Sequence, residues 1–287
     1  MKRLRLHRRH IISRFLLSLI ALVMLVPLAV TFLYSFFSPE EIKAYLETRG
    51  NYDQKALMDI VLSPKVASLD QYYRVLISDN SILRMFANSA MYTLAILAGQ
   101  AAVIPALAYA LSRFRFRGRD AIFFAIIMLM LLPFQVTMVP NVLTLRAIGL
   151  LNTVWAVIMP MWFTPFYVFL IRQYMVGLPD ELLEAAEMDG AGTVRSYFHI
   201  VLPICKPVVG AAVALSFADL WNLVEQPMTY LSARQDLQPL SVMFNQLVAQ
   251  PSGIEFAGAA LYIMPALLVY LFFQEDILSG VQLTELK

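Results

Sequence analysis

The sequence of 287 residues contains one cysteine, three histidines and few charged side chains. The single Cys205 cannot form an internal disulfide, which excludes a disulfide framework. Cys205 and the histidines do not have the spacing of a metal site. No H-E-x-x-H or G-x-S-x-G motif is present, nor any G-x-x-x-x-G-K-[ST] loop that would hold nucleotide phosphates. These absences argue against an enzyme, including one embedded in a membrane.

Charge is scarce in this sequence. Charged residues make up 15% of it and hydrophobic residues 60%, whereas a soluble domain is about half apolar and about a quarter charged. The formal net charge is only +2, which is too small to indicate a nucleic-acid partner. The composition therefore predicts a protein that resides in the lipid bilayer.

Six apolar segments divide the sequence. A helix that crosses a bilayer needs about 20 mostly apolar residues, so these segments predict an all-α membrane protein with six transmembrane helices. The third segment is interrupted by Pro133, and the fifth is short and contains Asp219. The predicted spans are residues 15–37, 91–111, 121–139, 154–171, 208–223 and 257–273.

The segments around the spans complete the predicted organisation. Residues 1–14 form a basic N-terminus, and the apolar run 15–37 after it is too long for a signal peptide and lacks a small-residue cleavage site, so an uncleaved first span is favoured. Residues 38–84 form a long loop whose second half has helical spacing and predicts an amphipathic helix at the interface. Residues 85–273 hold the other five spans, and residues 274–287 form a tail.

The positions of lysine and arginine predict the orientation. Dense basic clusters lie at the N-terminus and in the segment S-R-F-R-F-R-G-R-D, residues 112–120. Cytoplasmic loops are enriched in Lys and Arg, so the N-terminus, the tail and residues 112–120 are predicted to be cytoplasmic, and residues 38–84 to be outside. The arginines of 112–120 are interpreted as an orientation signal, and contact with a cytoplasmic protein is the alternative.

One polar segment, residues 184–203, lies between spans four and five on the predicted cytoplasmic side. Asp180, Glu184 and Glu187 fall on one face of a first helix, which Gly190 can end because glycine adopts the left-handed conformation. Thr193 is predicted to cap a second helix over residues 194–200, with an apolar side formed by Val194, Tyr197, Phe198 and Val201. A solvated connection and a docking site for a cytoplasmic partner are both compatible with this pattern.

The spacing of this segment resembles a family signature. The pattern is E-A-A, three residues, G, nine residues, then I-x-L-P, and it resembles the cytoplasmic signature of bacterial ABC importer permeases. The resemblance assigns coupling to a cytoplasmic ATPase subunit to residues at the motif positions and in the turn. These residues are Glu184, Ala185, Ala186, Asp189, Gly190, Ile200, Leu202 and Pro203.

Further stretches are similar to the carbohydrate branch of that family, the maltose-type permeases. They include residues 69–76, L-D-Q-Y-Y-R-V-L, residues 108–120, A-Y-A-L-S-R-F-R-F-R-G-R-D, and residues 133–140, P-F-Q-V-T-M-V-P. Residues 217–222, F-A-D-L-W-N, match the Trp-Asn segment of sugar permeases. The resemblance therefore covers most of the chain, whereas the acidic tail departs from the family pattern.

The resemblance implies a mechanism and partners. The E-A-A segment would be a coupling helix that lies in a groove of a cytoplasmic ATPase subunit, with Glu184 meeting a basic residue there. The partners implied are a second permease subunit, an ATPase dimer and an extracytoplasmic solute-binding protein, in a bacterial inner membrane. The chain itself would bind no cofactor, and ATP and Mg would reside on the ATPase subunits.

Four polar residues are candidates for the substrate path. Asp219 either lines the path or lies solvated or paired near the outer interface. Trp221 and Asn222 either contact a sugar or form an interfacial anchor and a helix end. Gln135 contacts substrate or satisfies backbone groups freed beside Pro133. A fifth residue, Gln100, is interpreted as an interhelical hydrogen-bonding residue.

Three other functions compete with a sugar permease. An ABC importer permease for another solute, such as a polyamine or phosphate, would keep the E-A-A pattern and make the Trp-Asn match coincidental. An intramembrane enzyme would need paired catalytic groups within the spans. A secondary transporter would need ion-coupling residues in repeated halves, which one aspartate near a span end does not supply.

Single cysteines introduced at Ser112 and Ser232 test the six-span topology. Three predicted spans separate the two positions, so a membrane-impermeant thiol reagent should label Ser232→Cys in right-side-out vesicles and Ser112→Cys in inverted vesicles. The parent chain measures the background from Cys205. Labelling of both variants from the same side would contradict the topology.

Overall fold

The computed structural model describes residues 2–50, 63–78, 80–247 and 253–282, which form helices and turns without a strand. This confirms the prediction of an all-α protein. Two π-helical turns, Arg74–Ser78 and Tyr197–Val201, and one 3-10 turn, Gln235–Leu237, interrupt the regular helices. The α-helices in chain order are α1 Lys2–Tyr34, α2 Pro39–Gly50, α3 Asp70–Tyr73, α4 Asn80–Arg113, α5 Arg119–Met130, α6 Phe134–Ala147, α7 Val154–Met161, α8 Pro165–Val176, α9 Glu181–Met188, α10 Thr193–Ser196, α11 Leu202–Ile204, α12 Lys206–Trp221, α13 Glu225–Tyr230, α14 Leu240–Leu247 and α15 Glu255–Gln282.

Four helical segments of the described chain are long and apolar enough to cross a membrane: Arg14–Tyr34, Ser81–Arg113, Val154–Val176 and Glu255–Asp276. Two bent pairs meet the requirement only when their halves are counted together. These are α5 with α6, which are bent by 108°, and Thr193–Ile204 with α12, which are bent by 72°. The described chain therefore has four to six candidate spans, and six spans with both termini inside stays a prediction.

The third and fourth predicted spans differ from single continuous helices. Residues 121–139 fall on two helices, because α5 ends at Met130 and α6 begins at Phe134 after a sharp turn. Pro133 has no N–H group and an extended backbone, so it begins a new helix rather than continuing the old one. Residues 154–171 are likewise interrupted before Pro165, and α8 continues to Val176.

A buried glutamine on α4 forms hydrogen bonds with polar groups at the break between α7 and α8. Gln100 Nε2 donates to the carbonyl oxygen of Met161 at 2.9 Å and to Thr164 Oγ1 at 3.0 Å. Ser216 on α12 donates to Gln100 Oε1 at 2.6 Å. The interhelical role predicted for Gln100 is thus confirmed, and one side chain connects three helices.

The α4 helix also approaches this break very closely. A Cβ atom at Gly99 would lie 2.0 Å from Trp162 Cδ1, so only glycine leaves room for the indole ring there. The ring is held in place because Trp162 Nε1 donates to the carbonyl oxygen of Ala95 at 3.2 Å. The break in the fourth predicted span is therefore a packed and hydrogen-bonded feature.

The chain divides into two compact units, and the first consists of Met1–Leu83 and Phe244–Met264. In this unit the fully buried Gln71 donates to the carbonyl oxygens of Tyr34 and Phe37, both at 2.8 Å, and accepts from the amide of Ala257 at 3.2 Å. The predicted amphipathic segment is two-faced, since Gln71 and Val75 are buried while Leu76 is exposed. Residues 51–62 of the predicted loop lie outside the described residues, as do residues 283–287 of the predicted tail.

The second unit, Arg84–Met243 and Pro265–Lys287, contains all the candidate site residues. One of its apolar clusters packs α4, α5, α8 and the start of α12 around Ala108, Val168, Met175 and Cys205. Another packs α4, α7 and α13 around Ile96, Val157 and Tyr230. These two clusters support the loop after α8 and the end of α12, respectively.

Candidate functional site

The polar segment of residues 181–204, called the E-A-A loop below, folds as a chain of short helices. Helix α9 is followed by a turn and by α10, and a π-helical turn over Tyr197–Val201 and α11 then lead into α12. The predicted Thr193 cap is wrong, because Gly192 occupies the N-cap with an extended backbone and Thr193 is the first helical residue. Regular α-helix ends at Ser196, and the wider turn that follows directs Tyr197 and Val201 into the protein.

Gly190 ends α9 with a Schellman motif. Its φ of +77° lies in the left-handed region, where side chains other than glycine are strained. The amide of Ala191 donates to the carbonyl oxygen of Ala186 at 2.9 Å, and the amide of Gly190 donates to that of Glu187 at 3.0 Å. These bonds satisfy two of the carbonyl groups that a helix end leaves unpaired, so the turn has a defined geometry.

One side of the E-A-A loop belongs to the apolar core. Ala186, Tyr197 and Val201 are buried, and Leu183 and Leu202 pack partly buried against the same cluster. The core side chains that receive them come mainly from α4 and α8 and include Ala108, Tyr109, Val168, Ile171 and Met175. The loop is therefore anchored by apolar burial along both of its arms.

The other side of the E-A-A loop is exposed and partly apolar. Glu184 and Ala185 are exposed, and Met188, Val194 and Phe198 are 88%, 71% and 57% exposed. The prediction of one apolar side formed by Val194, Tyr197, Phe198 and Val201 is wrong, since the π-helical turn separates them into two outward and two inward residues. Large exposed apolar side chains beside a polar rim are typical of an interaction surface.

The remaining motif residues have structural positions in the E-A-A loop. Asp189 is the C-cap of α9 and is exposed. Ile200 is half-buried, Leu202 packs against the core, and Pro203 is exposed in α11. The motif thus contains both anchoring and exposed residues, and its role in contacting an ATPase stays a prediction.

One polar contact at the entrance to the E-A-A loop was missed by the sequence analysis. Arg113, the last residue of α4, forms an ion pair with Asp180, the N-cap of α9. The same guanidinium donates to the carbonyl oxygens of Met175 at 2.6 Å and Leu178 at 2.8 Å. Two of its three partners are backbone carbonyl groups. Every residue has such a group, so the amino-acid sequence did not indicate this contact.

Asp219 lies near the end of α12 with an exposed side chain. It accepts a hydrogen bond of 2.9 Å from the hydroxyl group of Tyr167, which is a buried residue on α8. This bond holds the carboxylate against the helix bundle. A charged group at this place needs water or a polar surface on its open side, which keeps the substrate path as one of its two interpretations.

Trp221 and Asn222 have different environments although they are neighbours in the sequence. Trp221 is buried, stacks on Phe217 with centroids 5.5 Å apart, and meets the ring of Phe86 edge-on. Asn222 is exposed, and its Nδ2 donates to the carbonyl oxygen of Ala218 at 2.9 Å. In this conformation Trp221 supports the end of α12, while the side chain of Asn222 is accessible.

Gln135, at the start of α6, forms a hydrogen bond with a side chain distant in the sequence, and not with the backbone groups beside Pro133. Its Nε2 donates to Glu225 Oε1 at 3.0 Å, and both side chains are exposed. Asp219, Asn222 and Glu225 follow one another at intervals of three residues around the end of α12 and the start of α13. Asp219 and Asn222, which were predicted to line a path, therefore lie in one short stretch with Glu225, and Gln135 is joined to that stretch through Glu225.

Comparisons with known proteins identify the kind of chain to which these features belong. The model of the family "Binding-protein-dependent transport system inner membrane component" matches residues 101–275, which include the E-A-A loop and α12. The Bacillus subtilis (strain 168) arabinooligosaccharides transport system permease protein AraQ is 29% identical over 80% of this chain and 83% of that protein.

Two further comparisons, one with a relative and one with a solved structure, agree with the family match. The sn-glycerol-3-phosphate transport system permease protein UgpE of Pectobacterium atrosepticum is 31% identical over 68% of this chain and 71% of that protein. A crystal structure of a bacterial ABC transporter that imports the acidic polysaccharide alginate contains a chain with a TM-score of 0.77 and 25% identity. That match covers 92% of this chain and 95% of the other.

Two glycines of the E-A-A loop form a matched test of its turn. Gly190 has a φ of +77°, whereas Gly192 has a φ of −73°, and a Cβ atom at either position would meet nothing within 4 Å. Gly190→Ala should cost roughly 1–2 kcal/mol of turn stability, which accelerates exchange of the Gly190 and Ala191 amides about 5- to 30-fold in hydrogen–deuterium exchange. Gly192→Ala should leave this exchange unchanged, and equal exchange in both variants would contradict the assigned turn.

Proposed function

The chain belongs to the family of binding-protein-dependent transport system inner membrane components, and we propose that it is a permease subunit of a bacterial ABC importer for a sugar or an oligosaccharide. The family membership confirms the resemblance drawn from the E-A-A spacing, and the relatives are transport permeases rather than enzymes. The proposed movement of substrate is alternating access across the inner membrane, driven by partner ATPase subunits.

The geometry of the E-A-A loop is the observation that carries this proposal. A part that transmits motion must be accessible to its partner and firmly connected to the spans. Glu184 and Ala185 are exposed for contact, while Ala186, Tyr197 and Val201 are buried on the opposite side. In the proposed role the exposed side lies in a groove of the ATPase, and the buried side carries displacement into the helix bundle.

The proposed complex contains the other subunits that such a permease requires. The family description names a binding-protein-dependent system, which supports an extracytoplasmic solute-binding protein. A second permease subunit would form the other half of the substrate path, and two ATPase subunits would hold ATP and Mg. The exposed apolar residues of α1, for example Leu22 and Met24, suit contact with lipid or with the second permease.

The sugar assignment has a different support from the coupling assignment. It depends on the Trp-Asn segment and on relatives such as AraQ, which is named for the transport of arabinooligosaccharides. The proposed path residues are Asp219, Asn222 and Gln135, whose side chains are exposed at the end of α12 and the start of α6. Buried Trp221 would support that surface from behind rather than stack on a sugar ring.

A non-sugar solute is the second candidate. UgpE, one of the relatives, is named for transport of sn-glycerol-3-phosphate, so the same permease architecture serves a phosphorylated solute there. The E-A-A loop has the same role in both cases. Only the substrate path and the solute-binding protein would differ.

ATP hydrolysis by the assembled complex in liposomes distinguishes the two candidates. The complex is purified through a tag on this chain, mixed with its solute-binding protein, and given neutral monosaccharides and oligosaccharides, sn-glycerol-3-phosphate, phosphate or a polyamine. We expect stimulation by a sugar, because solute-loaded binding protein promotes closure of the ATPase dimer. Stimulation by a non-sugar solute alone would retain the permease and reject the sugar, and no response to any solute would reject the importer.

Reversal of one charge tests the coupling contact. Glu184→Lys should reduce solute uptake by roughly 30-fold or more, because a charged pair with a basic ATPase residue becomes a repulsive contact. Glu181→Lys makes the same charge change at an exposed position of α9 outside the motif and serves as the control. Membrane insertion of both variants is measured in parallel, and uptake at the parent rate with Glu184→Lys would refute the contact.

A further inference from the structure

Arg113 differs from Arg115 and Arg117, two other arginines of its segment. Its side chain is only 10% exposed, whereas Arg115 and Arg117 are exposed and take part in none of the ion pairs found among the described residues. A cation that is largely removed from water must be paired and hydrogen-bonded to be tolerated. The paired and hydrogen-bonded surroundings of Arg113 therefore indicate a structural role in addition to its part in the predicted orientation signal.

The guanidinium of Arg113 joins three elements at one point. Its Nη1 pairs with the carboxylate of Asp180, and its Nη2 donates to the carbonyl oxygens of Met175 and Leu178 at 2.6 and 2.8 Å. Met175 lies in the last turn of α8, Leu178 follows that helix, and Asp180 is the N-cap of α9. The end of α4 is thus bound to the residues that enter the E-A-A loop.

The electrostatics of this point favour an arginine. Carbonyl groups at the C-terminus of α8 carry the negative end of the helix dipole, and a cation beside them is stabilised. A planar guanidinium can donate in several directions at once, whereas a lysine ammonium lacks this fixed fork. Asp180 is 77% exposed, so the ion pair is open to water on the Asp180 side. The hydrogen bonds to the two carbonyl oxygens are the contacts of Arg113 that are shielded from water.

A second contact connects α4 with the other arm of the E-A-A loop. The ring of Tyr109 lies against that of Tyr197, with centroids 5.1 Å apart, and both side chains are buried. Tyr109 and Arg113 are four residues apart on α4 and therefore share one face of the helix. This face contacts the loop where it begins and again after its central turn.

We propose that Arg113 is a positioning residue that fixes the E-A-A loop to α4, so that displacement of the loop moves α4 as well as α8 and α12. The proposal rests on the coupling role given to the loop above. The polypeptide connects the loop covalently only to α8 and α12, and Arg113 adds the third connection. Without it, the direct contacts between the E-A-A loop and α4 are apolar ones, such as that of Tyr197 with Tyr109.

Arg113→Gln compared with Arg115→Gln tests the proposal in the reconstituted complex. Each variant removes one positive charge from the same segment, so any effect on the orientation bias is shared. Solute transported and ATP hydrolysed are both measured and normalised to the ATPase subunits that co-purify. We expect Arg113→Gln to lower the solute transported per ATP roughly 3- to 30-fold, with hydrolysis retained and with the solute concentration for half-maximal stimulation unchanged.

The control and the partner residue sharpen this test. Arg115→Gln should keep the parent ratio of transport to hydrolysis, and Arg113→Lys should give an intermediate ratio because it keeps the charge but not the fork. Asp180→Asn combined with Arg113→Gln should have less effect than the product of the single changes, since both remove one contact. A ratio in Arg113→Gln equal to that of the parent, or a proportional loss of transport and hydrolysis, would overturn the proposal.

Hydrogen–deuterium exchange of the complex gives a readout that does not need a transported solute. The amides of Leu183 and Glu184 donate to the carbonyl oxygen of Asp180 at 2.9 and 3.1 Å, so they report the start of α9. Exchange there should accelerate in Arg113→Gln and not in Arg115→Gln, and unchanged exchange in both would overturn the proposal. A parent complex that responds to no solute would instead reject the proposed function, and the two failures are thereby distinguished.

Discussion

Unpaired backbone groups in apolar surroundings are the constraint on which this architecture depends. Where a helix breaks within a bilayer, no water is at hand for the freed carbonyl groups, and each unsatisfied group is costly. At three helix ends of the described chain, long polar side chains from other elements supply such bonds and thereby connect the elements. The donors and the carbonyl groups that they satisfy are Gln100 with Met161, Arg113 with Met175 and Leu178, and, in the other unit, Gln71 with Tyr34 and Phe37.

The same constraint explains why the E-A-A loop has a firm base and an open surface. Its inner side is apolar and buried, its first helix begins at an aspartate held by Arg113, and its central turn is closed by the bonds around Gly190. The exposed side therefore does not need to contribute to folding, and Met188 and Val194 remain available to a partner. The apolar helices and the E-A-A loop are parts of one packed arrangement within the second unit.

The sequence predicted the features that depend on residue type and spacing. Hydropathy located the long helices α1, α4 and α15, and the spacing to Gly190 located the turn of the E-A-A loop. Features that depend on the neighbours of a backbone group were not predictable, such as the π-helical turn that separates Val194 from Tyr197 and the contact of Arg113 with two carbonyl groups. The break between α7 and α8 was not predicted, although Pro165 at the start of α8 is a signal for it, and the contacts of Gln100 and Trp162 at the break could not be read from the sequence.

The burial of the only cysteine has a practical consequence. Cys205 lies fully buried where the E-A-A loop meets α12, in the same cluster as Val168 and Met175. A thiol-reactive fluorogenic dye has no accessible target within the described fold, and it gains one when this cluster opens. Reaction of Cys205 with such a dye therefore reports unfolding at the junction between the proposed ATPase-contacting loop and the apolar helices, and no cysteine has to be introduced.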